Sequence, residues 1–168
     1  MKKGLLFIAF IGLLLSAQAA TVDTVWVESK AMKQSFKCVV VIPTNATNLN
    51  KRFPVTYLLH GYGGWYSNWI IRMPELMQEA DRYQMMIVCP EGKNSWYLDS
   101  PINDSLRWET YIAKEVPAYI DSHYPSLPSR SARAITGLSM GGHGGLYLGI
   151  KYPKIFGACG SMSGGVDI

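Results

Sequence analysis

The sequence predicts an α/β fold built on a mostly parallel sheet, with an antiparallel hairpin at its N-terminal end. Short apolar runs typical of buried strands alternate with segments whose apolar residues recur at helical spacing. Two of the strand-like runs pass directly into glycine-rich turns, residues 60–64 and 137–142. Ligands bind beyond the carboxyl ends of the strands in such sheets, so these two turns mark the expected functional edge.

Residues 1–19 have the organisation of a secretory signal peptide. Lys2 and Lys3 precede an apolar run over residues 4–15, and a small-residue end follows in which Ala17 and Ala19 occupy the A-x-A positions. The run is too short to cross a bilayer about 30 Å thick, which takes about 20 residues. We therefore expect cleavage after Ala19, a secreted or periplasmic protein without a membrane anchor, and one α/β domain over residues 20–168.

Composition excludes several classes of function. Removal of Lys2 and Lys3 lowers the formal net charge from +4 to +2, and no basic cluster interleaved with aromatics suggests nucleic-acid binding. Cys38, Cys89 and Cys159 each lie in an apolar run, so we interpret them as small buried side chains. Their spacing fits neither a metal site nor a disulfide framework, and the sequence predicts no cofactor and no metal.

The strands and helices follow from periodicity and turn residues. The apolar or alternating runs predict strands over residues 24–27, 36–42, 53–59, 85–89, 134–136 and 155–162. The first two form the expected hairpin. Helical spacing predicts helices over residues 74–82, 105–124 and 142–151.

Residues 105–124 carry most of the helical expectations. Asp104 or Ser105 is the expected cap, and Pro117 is expected to kink or restart the helix. Glu109 lies in the first turn, where the helix dipole favours a carboxylate. This explanation is sufficient, so Glu109 is assigned no chemistry. His123 at the C-terminal end is likewise assigned no chemistry.

The strand over residues 53–59 ends in His60-Gly61-Tyr62-Gly63-Gly64. A strand that runs into a His-Gly-x-Gly loop can supply one half of an oxyanion hole, because a backbone N–H must point at the developing negative charge. We expect that donor to be the N–H of Tyr62. His60 is interpreted as structural, since the loop acts through its backbone.

Aromatic residues cluster in the loops after two strands. Trp65, Trp96 and Tyr97, together with Tyr66 and Trp69, are expected beyond the carboxyl ends of the strands. They could form an aromatic wall for an acyl group or a sugar, or they could pack beneath the loops.

Residues 137–141 read Gly-Leu-Ser-Met-Gly between a predicted strand and a predicted helix. G-x-S-x-G at this junction is the nucleophile elbow of α/β hydrolases, in which a strained turn lifts the serine hydroxyl clear of the sheet. Ser139 is therefore the candidate nucleophile, and the N–H of Met140 is the second expected oxyanion donor. His143 lies one helical turn later, on the wrong side to act as a base.

Taken together, these motifs resemble the putative-esterase family of α/β hydrolases. The resemblance rests on Tyr57-Leu58-Leu59-His60-Gly61, Trp108-Glu109-Thr110, the Ser139 elbow, and Phe156-Gly157-Ala158 through Ser163-Gly164. That family includes esterase D (S-formylglutathione hydrolase), feruloyl and acetyl-xylan esterases, and mycolyltransferases. It implies attack by Ser139 on an ester carbonyl, with the Tyr62 and Met140 N–H groups holding the oxyanion.

The resemblance also implies a catalytic acid and a histidine on loops downstream of the last predicted strand. Neither has a counterpart in this sequence. We therefore expect an incomplete α/β-hydrolase domain, a fragment that lacks its C-terminal strands and is inactive by itself.

The leading hypothesis is an exported serine esterase that acts on an acylated polysaccharide or a small ester. Other members of the same family, S-formylglutathione hydrolases and acyltransferases, are alternatives, as is a serine peptidase of the prolyl oligopeptidase kind. An inactive fragment or a binding module is the non-enzymatic alternative.

Overall fold

A single six-stranded sheet organises the computed structural model, which describes residues 20–44 and 51–166. The predicted signal peptide, residues 1–19, lies outside the described residues. The strand order is β1-β2-β4-β3-β5-β6. The strands are β1 (Thr21–Ser29), β2 (Gln34–Ile42), β3 (Val55–Leu59), β4 (Met86–Pro90), β5 (Arg133–Gly137) and β6 (Ala158–Cys159).

The predicted sheet architecture is confirmed. Strands β1 and β2 form the antiparallel hairpin, and β2 pairs antiparallel with β4. Strands β4, β3, β5 and β6 are parallel to one another. The carboxyl ends of β3, β4 and β5 consequently meet at one edge, where the loops that follow these strands lie close together.

Apolar layers cover both faces of the sheet, which explains why the central strands are continuous apolar runs rather than alternating ones. On one face, Ala80 of α2 (Leu76–Tyr83) packs with Val39 and Ile87. On the other face, the layer includes Ile120 of α4 (Val116–His123) and Leu148 of α5 (Met140–Lys151). No helix within residues 20–44 and 51–166 combines the length and hydrophobicity needed to cross a membrane.

The helix predicted over residues 105–124 begins later and contains a wider turn. Helix α3 (Trp108–Thr110) runs into a π-helical turn, Tyr111–Glu115, and then into α4. Pro117 has no N–H to donate, and its ring would clash with the carbonyl of an uninterrupted α-helix. The π-helical turn ends two residues before this proline, and the helix restarts at Val116, as Pro117 was expected to require.

The prediction that Asp104 or Ser105 caps this helix is wrong. Arg107 is the N-cap residue and makes no side-chain cap hydrogen bond. Asp99, from the preceding loop, accepts instead: its Oδ1 lies 3.0 Å from the Thr110 N and its Oδ2 lies 2.6 Å from the Thr110 hydroxyl. One free N–H group of this helix end, that of Thr110, is therefore bonded by a residue from outside the helix.

Glu109 has more specific partners than the helix dipole. The side chain is buried, and its carboxylate accepts hydrogen bonds from Tyr147 (2.8 Å), Lys151 (3.0 Å) and the Tyr152 hydroxyl. These partners lie on α5 and at its end, so Glu109 ties α3 to α5. Contrary to the expectation from sequence, the helix dipole alone therefore does not explain Glu109, because three side chains also bind its carboxylate.

Strand β6 is much shorter than the predicted run over residues 155–162. Only Ala158 and Cys159 pair in register with β5, opposite Ala134 and Ile135. The flanking N–H groups of Gly157 and Gly160 donate to the carbonyls of Arg133 and Ile135, so the chain stays beside β5 outside the two-residue ladder. Cys159 is exposed, so its predicted burial is wrong, whereas Cys38 and Cys89 are buried as expected.

Candidate active site

Ser139 occupies the turn between β5 and α5. Its backbone has φ 55° and ψ −117°, a left-handed conformation that residues other than glycine rarely adopt. The Ser139 N–H donates to the Met162 carbonyl (2.8 Å), and the His143 N–H donates to the Ser139 carbonyl (3.0 Å). The residue is exposed at the carboxyl end of the central strands, as a nucleophile elbow requires.

The two glycines of the elbow lie against the end of β3. A Cβ on Gly141 would lie 2.7 Å from the His60 carbonyl oxygen, and one on Gly137 would lie 2.7 Å from the Gly141 carbonyl oxygen. Real Cβ atoms do not approach backbone oxygens this closely. These glycines therefore allow the elbow to pack directly onto the strand that carries the second loop.

A pocket of about 330 Å³ joins Ser139 to residues 60–64, hereafter the glycine loop. A Cβ on Gly61 would lie 3.6 Å from Cβ of Ser139, which shows how closely this loop approaches the elbow. The pocket lining is completed by Leu138 and by residues of or next to α1 (Asn68–Arg72), namely Asn68, Trp69, Arg72 and Met73.

The two proposed oxyanion donors, the N–H groups of Met140 and Tyr62, come from the elbow and from the glycine loop. Met140 is the first residue of α5, so its N–H has no carbonyl within the helix to bond. Tyr62 lies in the glycine loop with an exposed side chain. The hydrogen bonds of residues 20–44 and 51–166 engage neither N–H. Their role in binding an oxyanion stays a prediction.

His60 has the surroundings of a structural histidine. It is 2 % exposed, its Nδ1 lies 2.9 Å from the Gly61 carbonyl oxygen, and its Nε2 lies 3.0 Å from the Gly92 N. A carbonyl can only accept and an N–H can only donate, so Nδ1 carries the proton and Nε2 accepts. Both ring nitrogens are thereby engaged by backbone.

Each of the other two histidines has its Nδ1 hydrogen-bonded away from Ser139, and the buried Nε2 of His143 has no hydrogen-bond partner among the described residues. His143 is buried in α5, where its Nδ1 lies 3.1 Å from the Gly165 carbonyl oxygen and its ring stacks on Tyr147. His123 stacks on Tyr119 at 4.0 Å. In the part of the chain that the structure describes, no hydrogen bond reaches Oγ of Ser139. The base that would activate this serine is therefore unassigned.

The predicted aromatic wall is only partly placed near the site. Trp65 and Trp96 are partly exposed, but the pocket is lined by Trp69 instead. Tyr97 is fully buried, which favours the alternative that this ring packs beneath the loops. Sequence reasoning missed Asn68, Arg72 and Met73. The helical run after the glycine loop could have indicated them, because a helix starting there must flank the loop.

A strained serine at a strand-to-helix turn, beside a glycine loop at the carboxyl edge of a mostly parallel sheet, defines an α/β hydrolase. Residues 29–168 match the family described as Putative esterase. The chain belongs to this esterase family.

Its relatives and structural neighbours are esterases and acyltransferases. The acetyl esterase of Caldicellulosiruptor saccharolyticus is 31 % identical over 135 residues, which cover 76 % of this chain and 50 % of that protein. The mycolyltransferase Ag85C of Mycobacterium leprae is 31 % identical over 118 residues, covering 64 % of this chain and 34 % of that one.

Solved structures agree with this assignment. A ferulic acid esterase superposes with a TM-score of 0.71 at 29 % identity, covering 82 % of this chain and 57 % of its own. An S-formylglutathione hydrolase from Agrobacterium tumefaciens gives a TM-score of 0.73 at 25 % identity, covering 83 % and 56 %. The chain thus spans about half the length of the proteins that it matches.

Proposed function

We propose that Ser139 is the nucleophile of a carboxylic-ester hydrolase that works through an acyl-enzyme. The observation that carries this proposal is the left-handed Ser139, which lines one pocket together with the glycine loop. Holding a serine in this backbone conformation costs free energy, and such strain is concentrated at functional sites. Membership of the esterase family supports the same chemistry.

In the first step, Oγ of Ser139 bonds to the ester carbonyl carbon and gives its proton to a base. The carbonyl π electrons move to the oxygen, where the N–H groups of Met140 and Tyr62 stabilise the negative charge. The intermediate then expels the alcohol, which takes a proton from the protonated base. Water attacks the acyl-serine in the same way and releases the acid.

The mechanism also requires a base beside Ser139. His60, His123 and His143 are each bonded to other groups, and a serine hydroxyl is a weak nucleophile without a base within hydrogen-bond reach. We propose that a histidine and its carboxylate partner approach Ser139 from outside residues 20–44 and 51–166.

For the substrate, we propose an acylated polysaccharide or a small ester, met after export. An acetyl esterase and a ferulic acid esterase among the similar proteins support an ester of this kind. Transfer of the acyl group to another alcohol is the second candidate, favoured by the 31 % identity to a mycolyltransferase. Acyl-enzyme formation is common to both, and the acceptor distinguishes them.

The test uses protein expressed from the complete coding sequence. A fluorophosphonate probe should label Ser139, and Ser139→Ala should abolish both labelling and hydrolysis of p-nitrophenyl acetate. Removal of a serine nucleophile costs on the order of a million-fold in kcat. Ser122→Ala, at an exposed serine of α4, is the matched control and should behave as wild type. Wild-type rates in Ser139→Ala would refute the assignment.

Product analysis separates hydrolysis from transfer. With an added alcohol in the assay, a hydrolase releases mainly free acid, whereas an acyltransferase forms mainly the new ester. Cleavage of a prolyl peptide in place of either ester reaction would indicate the peptidase alternative.

A further inference from the structure

The loop after β4, residues 91–97, makes several contacts with the glycine loop. We propose that Tyr97 and Asn94, on this loop, are positioning residues that hold the glycine loop in the conformation required for oxyanion binding. The inference rests on the proposed function, since the glycine loop is the expected source of the Tyr62 donor. In this role neither residue touches the substrate.

Tyr97 is hydrogen-bonded to the first residue of the glycine loop. Its hydroxyl donates to the His60 carbonyl oxygen at 2.8 Å, and the whole side chain is buried. The His60 carbonyl is one residue before Gly61 and two before Tyr62, so its direction helps to set the course of the loop. Burial, reinforced by the charge of Glu91, holds the pKa of Tyr97 well above its ordinary value, and the phenol stays a donor.

The ring of Tyr97 also contacts the element that carries the second donor. A Cβ on Gly144 of α5 would lie 2.8 Å from Cγ of Tyr97, and one on Gly92 would lie 2.8 Å from Cζ. The ring is therefore wedged between the loop after β4 and the helix that begins at Met140. One buried side chain thus contacts both the first residue of the glycine loop and the helix that begins at Met140.

Asn94 holds the far end of the glycine loop. Its Oδ1 accepts a hydrogen bond from the Gly63 N–H at 2.7 Å, and the Gly64 N–H donates to the Gly61 carbonyl at 3.0 Å. The N–H groups of Gly63 and Gly64, which follow Tyr62, are consequently both occupied. The Tyr62 N–H lies between these fixed points and has no such bond among the described residues.

The loop that carries Asn94 and Tyr97 is itself held in a strained conformation. Lys93, Trp96 and Tyr97 all have positive φ values, of 48°, 56° and 61°. Ser95 stabilises the turn by donating to the Gly92 carbonyl at 2.6 Å and accepting from the Tyr97 N–H at 3.0 Å. Non-glycine residues in this region persist only where their surroundings impose it, and such strain is typical of functional loops.

The first experiment compares Tyr97→Phe with Tyr111→Phe in protein from the complete coding sequence. Both substitutions remove a buried hydroxyl, but the Tyr111 hydroxyl has no hydrogen-bond partner among the described residues. We expect Tyr97→Phe to lower kcat on p-nitrophenyl acetate about tenfold with little change in KM. This is less than the 10²- to 10³-fold typical of losing an oxyanion donor outright. Tyr111→Phe should leave both constants unchanged.

The second comparison uses Asn94. Asn94→Leu removes the acceptor for the Gly63 N–H and should lower kcat by a similar factor, whereas Asn94→Asp keeps an oxygen there and should restore most of the rate. If Tyr97→Phe and Asn94→Leu lower only the melting temperature and leave kcat unchanged below it, the residues are merely structural and the proposal is overturned.

Hydrogen exchange of residues 60–64, measured by mass spectrometry, gives a readout independent of catalysis. We expect faster exchange in this segment for Tyr97→Phe and Asn94→Leu, and wild-type exchange for Tyr111→Phe. If wild type hydrolyses no ester, the proposed function fails and exchange alone decides: faster exchange supports the positioning role, and unchanged exchange overturns it.

Discussion

Ser139 shows how a single residue depends on its neighbours for an unfavourable backbone conformation. A non-glycine residue at φ 55° costs about 1 to 3 kcal/mol relative to a relaxed conformation. The bonds of its N–H to Met162 and of its carbonyl to the His143 N–H hold this conformation from both sides. Close packing of Gly137 and Gly141 against the end of β3 leaves the turn no room to relax.

We predict that Gly141→Ala destabilises the protein by about 1 to 3 kcal/mol, the usual cost of forcing extra volume into a packed site. Its Cβ would meet the backbone at His60, which cannot move without shifting the glycine loop. Gly165→Ala is the matched control, because its Cβ would meet only the Trp96 ring at 3.5 Å. The free energy of unfolding in denaturant is the measurement, and equal stability of the two variants would contradict the packing argument.

At the scale of elements, side chains rather than backbone ladders join the helices around the site. Glu109 connects α3 to Tyr147 and Lys151 of α5, the helix that begins beside Ser139. Burial alone would raise the pKa of Glu109, but hydrogen bonds from Tyr152, Lys151 and Tyr147 outweigh it and hold the pKa below its ordinary value. The carboxylate is thus stabilised in its charged form by folding.

A lowered pKa in the folded state predicts the direction of a pH effect. The stabilisation by Glu109 is fully present above the carboxyl pKa of the unfolded chain, about 4.3, and is lost as pH falls through the lower folded value. We expect wild type to lose more unfolding free energy than Glu109→Gln between about pH 5 and pH 3. Glu28→Gln, at an exposed carboxylate, should follow wild type. Parallel curves for wild type and Glu109→Gln would exclude the effect.

At the scale of the whole molecule, the start of β1 is attached to α2. Ala20 is buried, and its N–H donates to Oδ2 of Asp81 at 2.8 Å. Thr44, at the end of the hairpin, donates to Oδ1 of the same carboxylate through its N–H and its hydroxyl. Asp81 therefore joins the two ends of the β1–β2 hairpin to the helix that covers one face of the sheet.

This contact gives the predicted signal cleavage a physical consequence. We predict that the exported protein begins at Ala20, and mass spectrometry checks this directly. Cleavage after Ala19 converts the Ala20 N–H into an ammonium group beside Asp81, a charge-assisted hydrogen bond. We expect the processed protein to be more stable, by on the order of 1 kcal/mol, than one with extra residues before Ala20.

The difference should depend on pH with a definite sign. An amine that gains a carboxylate partner has its pKa raised by folding, so its stabilisation is present below about pH 8 and is lost as pH rises through the folded value. Asp81→Asn should remove the difference at every pH. Persistence of the difference in Asp81→Asn, or a different N-terminus, would contradict the prediction.

The sequence alone determined the hairpin, the parallel strands and the position of Ser139. Each depends on residues that are neighbours in the chain: alternation in β1, apolar runs in the central strands, and glycines spaced around the serine. Steric limits on local backbone conformation act within a few residues, so these features can be read without knowledge of the fold. The surroundings of His60 combine both kinds of information, because its Nδ1 contact to Gly61 is local whereas its Nε2 accepts from Gly92, 32 residues away.

Tertiary structure decided where side chains from distant segments meet. Tyr97 bonds to His60 across 37 residues and Glu109 bonds to Tyr147 across 38, so neither partner is encoded near the residue itself. The exposure of Cys159 is likewise not encoded in the apolar run around it. The physical reason is that burial and hydrogen bonding of a side chain depend on which surfaces pack around it. Those surfaces are brought together only when the strands and helices assemble.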